Sequence, residues 1–349
     1  MARHPLGSRG RQRNLIYAIS ALLVIVVVVA LIYNLGLFGE NKNEPNNVLP
    51  EIKTPEANEA TVPEPKPLVR PEPKPLVVRP EPNLPAIMPE TIGEPNSKAG
   101  ELIVEARSLL AAKPSKIIEA RDKFNEAFAM PMSSQQRAFV KEQLSSLANS
   151  WLFSKNVFPD DKLCTTYMVK SGDQLRAIGE QFKVPYEILM QINNISRPEV
   201  LQAGQTVKVI NGPFHARIAL STFTMDLFLQ DIYVCSFPVG LGKPGRETPT
   251  GQWVVKPGGK LIKPPWTDPD TGRRYHPEDP DYPLGSRWIG LDGVSGAAKG
   301  RTGFAIHGTK EPSQIGTAGS RGCIRLHNGD VILVYNLLMP GLSKVEVVE

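Results

Sequence analysis

Cysteine and histidine are scarce in this chain. There are three cysteines in 349 residues, too few for a disulfide framework in a chain this long. If the protein works outside the cytoplasm, Cys164 and Cys235 are the only pair that would leave Cys323 free, and sequence does not set their separation. The five histidines are His4, His215, His276, His307 and His327. No two of them have a His-x-x-x-His spacing, and no cysteines have a Cys-x-x-Cys spacing, so a zinc centre of either kind is not expected. No basic stripe is interleaved with aromatics, which argues against a nucleic-acid interface. Gly240-x-Gly242-x-x-Gly245 matches a dinucleotide fingerprint by letter. That fingerprint must open a helix, whereas here Pro244 lies inside it and Thr248-Pro-Thr-Gly251 follows, which is turn chemistry. No cofactor is expected. The net charge of +5 is mild and suits an anionic surface without specifying one.

Charge is also missing in one long run. Leu15 to Phe38 carries no charged residue, and Ala21 to Ile32 is wholly apolar. That length fits one crossing of a bilayer about 30 Å thick. Arg3, Arg9, Arg11 and Arg13 precede it, and Glu40 and Glu44 follow. The positive-inside rule predicts a cytoplasmic tail over 1–14, an anchor over 15–38 and everything later outside. A cleaved signal peptide is the alternative, and no small-x-small site follows the run.

Proline, 33 residues in all, is concentrated early. Residues 39–98 read as a linker in which Pro63 to Arg70 is nearly repeated by Pro71 to Arg79, and Pro80 starts a third copy. Such a tract favours polyproline II. At about 3.1 Å per residue it reaches on the order of 150–190 Å from the membrane. Residues 99–160 read as helical. Leu102, Ile103, Ala106, Leu109 and Leu110 share one face; Ile117, Phe124 and Phe128 mark a second helix; Val140, Leu144, Leu147, Ala148, Trp151 and Leu152 mark a third. A packed bundle or spacer is favoured over a partner-binding repeat.

Residues 165–211 predict a β-α-α-β unit. A strand at Tyr167 to Val169 leads into a Ser171-Gly-Asp173 turn with Asp173 as candidate N-cap. Two short helices follow, Asn193-Asn194 ends the second, and Thr206 to Ile210 is the return strand. The unit resembles a LysM domain through Val169-Lys-Ser-Gly-Asp-Gln-Leu175, the Asn193-Asn194 pair and Gly204-Gln205. The resemblance implies binding of N-acetylglucosamine-containing glycans, peptidoglycan above all. A degenerate copy that only spaces its neighbours is the alternative.

Residues 214–349 predict a mostly-β domain, closed or sandwich-like, with one helix at Asp330 to Leu338 capped by Asn328 and a last strand at Val345 to Val348. Its chemistry-bearing stretch is Ile306-His307-Gly308-Thr309 followed by Ser320-Arg321-Gly322-Cys323-Ile324-Arg325. A thiol attacks as thiolate and needs a base within reach, itself oriented by a third group. His307, 16 residues before Cys323, is the candidate base, and a β-loop-β turn would bring the two together. His327 is the rival, read as structural or surface. A lone Cys and a lone His in a β domain are most often simply packed.

These segments resemble the signature of the YkuD family of L,D-transpeptidases, and Thr248-Pro-Thr-Gly251 resembles a turn those domains carry ahead of the site. Many members have His where this chain has Arg321. The resemblance implies Cys323 as nucleophile, His307 as general base, Gly308 as the orienting carbonyl, and the Gly322 and Cys323 amides as oxyanion hole. Arg325, with Ser320 and Arg321 beside it, is the candidate contact for a substrate carboxylate; an ion pair is the other reading of Arg325. Residues 256–302, rich in Gly and Pro and holding Trp266, Tyr275 and Trp288, are expected as a loop or lid. The implied whole is a multidomain, membrane-anchored cell-wall enzyme. It would form three-to-three peptidoglycan cross-links through a thioester with release of D-alanine, and carbapenem-type β-lactams would acylate it. A carboxypeptidase on the same site and a non-catalytic LysM protein are the alternatives. The acceptor is not specified by the sequence.

Overall fold

The computed structural model describes residues 93–349. The anchor and nearly all of the proline-rich linker lie outside the described residues. Among the described residues no helix is long and apolar enough to cross a membrane.

Three helices come first: α1 (Ser97–Ala111), α2 (Ile117–Phe128) and α3 (Ser134–Trp151). The Asn96 side chain caps α1, so the helix starts inside the stretch assigned to the linker. Ser133 and Gln136 form a capping box on α3, which satisfies two otherwise orphaned donors. Their buried faces pack Leu102, Phe124, Leu144 and Trp151 into one core. The Arg121 guanidinium lies 4.4 Å over Trp151 and pairs with the buried Asp161 at 2.9 Å.

Next come β1 (Cys164–Met168), α4 (Leu175–Gln181), α5 (Tyr186–Asn193) and β2 (Thr206–Ile210), with β1 antiparallel to β2. Strand β1 begins three residues before the expected start. Asp173 is not the cap of α4: Gln174 holds that position and makes no side-chain cap. The Asp173 carboxylate instead accepts from the Lys170 N–H at 2.7 Å and the Tyr167 hydroxyl at 2.8 Å. Those bonds hold its pKa below the usual carboxylate value. The two adjacent asparagines do separate jobs. Asn193 is buried and bonds both backbone groups of Lys208, whereas Asn194 adopts left-handed φ of 56° and ends α5.

The C-terminal domain holds β3 (Phe214–Ala219), β4 (Thr224–Leu229), β5 (Ile232–Pro238), β6 (Leu241–Gly242), β7 (Gly251–Leu261), β8 (Trp266–Thr267), β9 (Arg274–Tyr275), β10 (Trp288–Gly293), β11 (Phe304–His307), β12 (Ala318–Ser320), β13 (Ile324–Arg325), helix α6 (Asn328–Leu337) and β14 (Lys344–Val348). One eight-stranded sheet runs β13-β11-β10-β7-β14-β3-β4-β5, and β6 pairs with β12 in a small ribbon. The sheet is mixed: β11–β13 and β14–β3 are parallel. The expected lid over 256–302 is corrected in part. Residues 256–261 and 288–293 belong to β7 and β10 in mid-sheet, so 262–287 and the short stretch 294–302 are what leave the sheet. Asn328 is the first residue of α6, not its cap.

The helical segment is more than a spacer within the described fold. It covers β5, the edge strand. Asn125 of α2 accepts from the Tyr233 N–H at 3.1 Å and donates to the Asp231 carbonyl at 3.3 Å. Lys141 of α3 pairs with Asp226 at 2.8 Å, and Phe128 meets Tyr233 at 5.1 Å. An open edge is a template for unwanted pairing, and this contact closes it. The small domain is tied in by Lys208. Its buried ammonium donates to the carbonyls of Trp151, Leu152, Ser154 and Asn156 at the end of α3, where the helix dipole favours a cation.

Candidate active site

His307 is the last residue of β11, and Cys323 immediately precedes β13. In the parallel pairing Ile306 faces Ile324 and His307 faces Arg325. Alternate residues point to opposite faces. His307, Arg325 and Cys323 therefore share one face, while Ile306 and Ile324 turn to the core, where both are fully buried. With strands about 4.8 Å apart and about 3.3 Å rise per residue, His307 and Cys323 are diagonal neighbours roughly 8 Å apart at Cα, within reach of two inward-leaning side chains. The relation is thus a parallel register, with β12 in the intervening loop, rather than a simple hairpin. Both residues line a cavity of about 450 Å³.

The His307 ring is held from two sides. Nδ1 lies 2.6 Å from the Gly308 carbonyl oxygen. A carbonyl only accepts, so Nδ1 carries the proton and Nε2 is left with a lone pair. Trp288, opposite His307 in β10, stacks on the ring at 5.6 Å with planes 16° apart. Burial drives the His307 pKa down to about 4; the Gly308 and Leu284 carbonyls oppose that shift and the Arg325 charge adds to it. Burial likewise pushes the Cys323 thiol up, against the Ala305 backbone N–H and Arg325. The resting pair is neutral thiol and neutral imidazole, not thiolate and imidazolium.

Each remaining sequence candidate has a definite place. The Ser320 hydroxyl donates to the Cys323 carbonyl at 2.6 Å and accepts from the Gly322 N–H at 3.1 Å. It is buried and shapes the loop. The Gly322 amide is engaged by Ser320 in the resting loop, which leaves the Cys323 amide as the other oxyanion candidate. Gly322 is still required as glycine. Its φ is +108°, and a Cβ there would lie 2.8 Å from the Phe304 ring. Arg321 pairs with Asp268 at 3.0 Å and Asp270 at 2.8 Å, so it ties the nucleophile loop to the 262–287 excursion. Arg325 donates to the Gln314 side-chain oxygen, and its buried Nε has no partner among the described residues. An unmet donor beside a thiol suits an incoming carboxylate. His327 occupies the N-cap position of α6 without capping it and does not line the cavity.

Two residues that the sequence offers only as part of a family-like turn, Thr248, and as a helix cap, Asn328, position the site. The Thr248 hydroxyl donates to the Gly322 carbonyl at 2.9 Å and accepts from the Gly242 N–H at 3.1 Å, which is what the Thr-Pro-Thr-Gly turn contributes. It follows Gly240-x-Gly242-x-x-Gly245, a segment that forms β6 and a turn, with no helix between β6 and β7. Asn328 accepts from the Ser286 N–H at 3.0 Å and donates to the Thr309 carbonyl at 2.9 Å, clamping the strand end that carries His307. Trp266 and Tyr275 of the β8–β9 hairpin line the cavity beside Lys243 and Lys310. All three cysteines are free thiols. Among the described residues no cluster of metal-ligating side chains occurs.

A second cavity, of about 480 Å³, lies in the small domain between the Asp173–Arg176 turn, Tyr186 and the Pro198–Leu201 loop.

A cysteine and an oriented histidine on adjacent parallel strands define the site, and sequence comparison supplies the family. The L,D-transpeptidase catalytic domain model, YkuD, matches residues 213–347, and the LysM domain model matches residues 167–209. The chain is 31% identical over 183 residues to the putative L,D-transpeptidase YkuD of Bacillus subtilis, covering 50% of this chain and 94% of that protein. It is 26% identical over 196 residues to the probable L,D-transpeptidase YcfS of Escherichia coli, covering 51% of this chain and 59% of that one. Among solved structures it is similar to L,D-transpeptidase 3 from Mycobacterium tuberculosis, solved with a faropenem-derived adduct, at 18% identity and a TM-score of 0.31 over 42% of this chain and 66% of that one. The chain belongs to the YkuD family of L,D-transpeptidases and carries a LysM domain ahead of the catalytic domain.

Proposed function

We propose that the protein is a peptidoglycan L,D-transpeptidase that forms three-to-three cross-links. The observation that carries this reading is the shared face of Cys323 and His307, with Nε2 left as the basic nitrogen by the bond from Nδ1 to Gly308. The donor is a tetrapeptide stem. Cys323 Sγ attacks the carbonyl of the diamino acid at stem position three as its proton passes to His307 Nε2. The C–S bond forms, the C–N bond to D-alanine breaks, and the imidazolium returns the proton to the leaving amine. An amine from a neighbouring stem then attacks the thioester. His307 takes its proton, the new amide forms and the thiol is released. The Cys323 amide faces the developing oxyanion, and Arg325 receives a stem carboxylate.

The LysM groove holds glycan, and the segment over 15–38 anchors the chain in the membrane with the catalytic domain outside. The charge asymmetry around that segment and the wall-directed chemistry of both domains support this placement. Alkaline extraction of membranes tests it: release of the chain into the soluble fraction overturns it.

Incubation of the full chain with purified disaccharide-tetrapeptide tests the reaction. Dimers with loss of D-alanine are expected by mass spectrometry. D-alanine loss without dimers identifies a hydrolase, and no change with retained glycan binding identifies a wall-binding protein. Activity that survives Cys323→Ala overturns the thiol mechanism.

A further inference from the structure

The LysM domain does not stand free of the catalytic domain. The two enclose a cleft of about 400 Å³, walled on one side by Arg176, Tyr186 and Glu187 and on the other by Lys260, Tyr335 and Met339. Arg176 and Tyr186 also line the LysM groove, so the groove and the cleft are neighbours on the α4–α5 side, with these two side chains common to both.

Lys260 is the unusual group here. It sits in β7 opposite Ile289, one residue before Leu261, which pairs with Trp288. Trp288 in turn faces His307. Lys260 therefore points to the face of the sheet opposite the Cys323 cavity, where its ammonium lies 4.2 Å over the Tyr335 ring. Among the described residues no oxygen accepts a hydrogen bond from this ammonium. The Glu187 carboxylate attracts it without bonding it, and burial lowers its pKa to about 8, so at neutral pH most of it is charged. A half-buried ammonium with an aromatic face beside it and no protein oxygen as acceptor can take an anionic acceptor. The Tyr186 and Tyr335 rings beside it give the cleft apolar walls that a sugar or peptide can pack against.

We propose that this cleft is a second binding site, in which Lys260 pairs with a carboxylate of a peptide stem carried by the glycan strand that the LysM groove holds. The inference rests on the LysM groove binding glycan. A strand leaving that groove past Arg176 and Tyr186 enters the cleft, and its acidic stems are the anions it brings. The occupant of the cleft is not the stem under attack, because Lys260 and Cys323 lie on opposite faces of the sheet. The cleft reads the strand on which the enzyme stands, while a different stem enters the catalytic cavity.

The test compares two probes on the full chain carrying Cys323→Ala and Arg325→Met, which prevent turnover and remove the stem-carboxylate contact of the catalytic cavity. One is an N-acetylglucosamine hexamer, without carboxylates; the other is a glycan fragment of equal length bearing tetrapeptide stems. The stem-bearing fragment is expected to bind about tenfold more tightly, the range for a hydrogen bond to a charged group. Lys260→Met should remove that advantage and leave hexamer affinity within about twofold, which also shows that the variant is folded. Lys260→Arg should retain most of it. Hexamer binding with no preference for stems, or a preference that survives Lys260→Met, overturns the cleft alone. Failure of both probes overturns the LysM reading and the cleft with it. A preference reproduced by poly(glycerol phosphate) in competition identifies a phosphate polymer as the occupant and overturns the stem assignment.

Discussion

The Trp288 indole lies flat on the His307 imidazole, with centroids 5.6 Å apart and planes inclined by 16°. One face of the proposed base is thereby shielded while its edge stays turned to the cavity that Cys323 shares. Stacking of this kind contributes about 0.5–1.5 kcal/mol beyond burial. Trp288→Leu is expected to lower kcat by up to about tenfold if that contribution is lost in the transition state. KM should change little. The variant should also move the acid limb of the pH–rate profile upward, because a more hydrated imidazole protonates more readily. An unchanged limb would mean that the indole does not govern the base.

The pH behaviour of the native site follows from the two burial shifts. Below about pH 4 His307 is protonated and cannot take the thiol proton. The acid limb of kcat/KM should therefore lie near 4 instead of the ordinary 6.5. Alkylation of Cys323 in the free enzyme should rise only in the alkaline range, since its thiol is pushed up. Rapid alkylation at pH 6 would show a thiolate–imidazolium pair and contradict the neutral resting state.

Stability carries the same signature. His215 is buried, its Nδ1 accepting from the Lys344 N–H at 3.1 Å, and its pKa also falls to about 4. Between pH 6.5 and 4 the unfolded chain binds protons at both histidines that the folded chain refuses, so stability falls as pH falls through that window and levels off below it. At pH above 6.5 the full stability is present. The loss is on the order of 2–3 kcal/mol per histidine. Chemical denaturation at pH 7 and pH 4.5 measures it, and His215→Gln should remove about half.

Lys208 joins α3 to the LysM domain through four carbonyls. Lys208→Met leaves them without a cation and is expected to cost about 3 kcal/mol, the upper range for a hydrogen-bonded buried charge. Calorimetry should then show the helical segment and the LysM domain melting less cooperatively. A single unchanged transition would assign the coupling to apolar packing instead.

Asn328 spans Ser286 and Thr309 on either side of the His307 strand end. Asn328→Ala should cost about 2 kcal/mol and reduce kcat more than it raises KM, because the base is displaced and no substrate contact is lost. Asn328→Asp retains the acceptor and loses the donor, so it should fall between the two. Equal effects on kcat and KM would place Asn328 in substrate binding.

The parts legible in the sequence are those whose signal is local. Helical periodicity over 99–152, the turn and asparagine pair of the LysM unit, and the contiguous Ser320–Arg325 motif are written within a few residues of one another. What escaped is non-local. β10 and β11 contain Gly290, Gly293 and continuous apolar pairs instead of clean alternation, because both faces of mid-sheet strands are covered. Local pattern alone therefore gives them no strand signal.

The sequence by itself determined which chemical groups the protein carries and which it lacks: one thiol and one histidine in a family motif, a LysM unit, and a charge-free run near the start. Tertiary structure decided which of those groups meet. It set the parallel register that puts His307 and Cys323 on one face, engaged the Gly322 amide with Ser320 in the resting loop, and turned Lys260 to the opposite face. The physical reason is that a strand's partner, and hence the face on which each side chain falls, is chosen by pairing across the whole sheet.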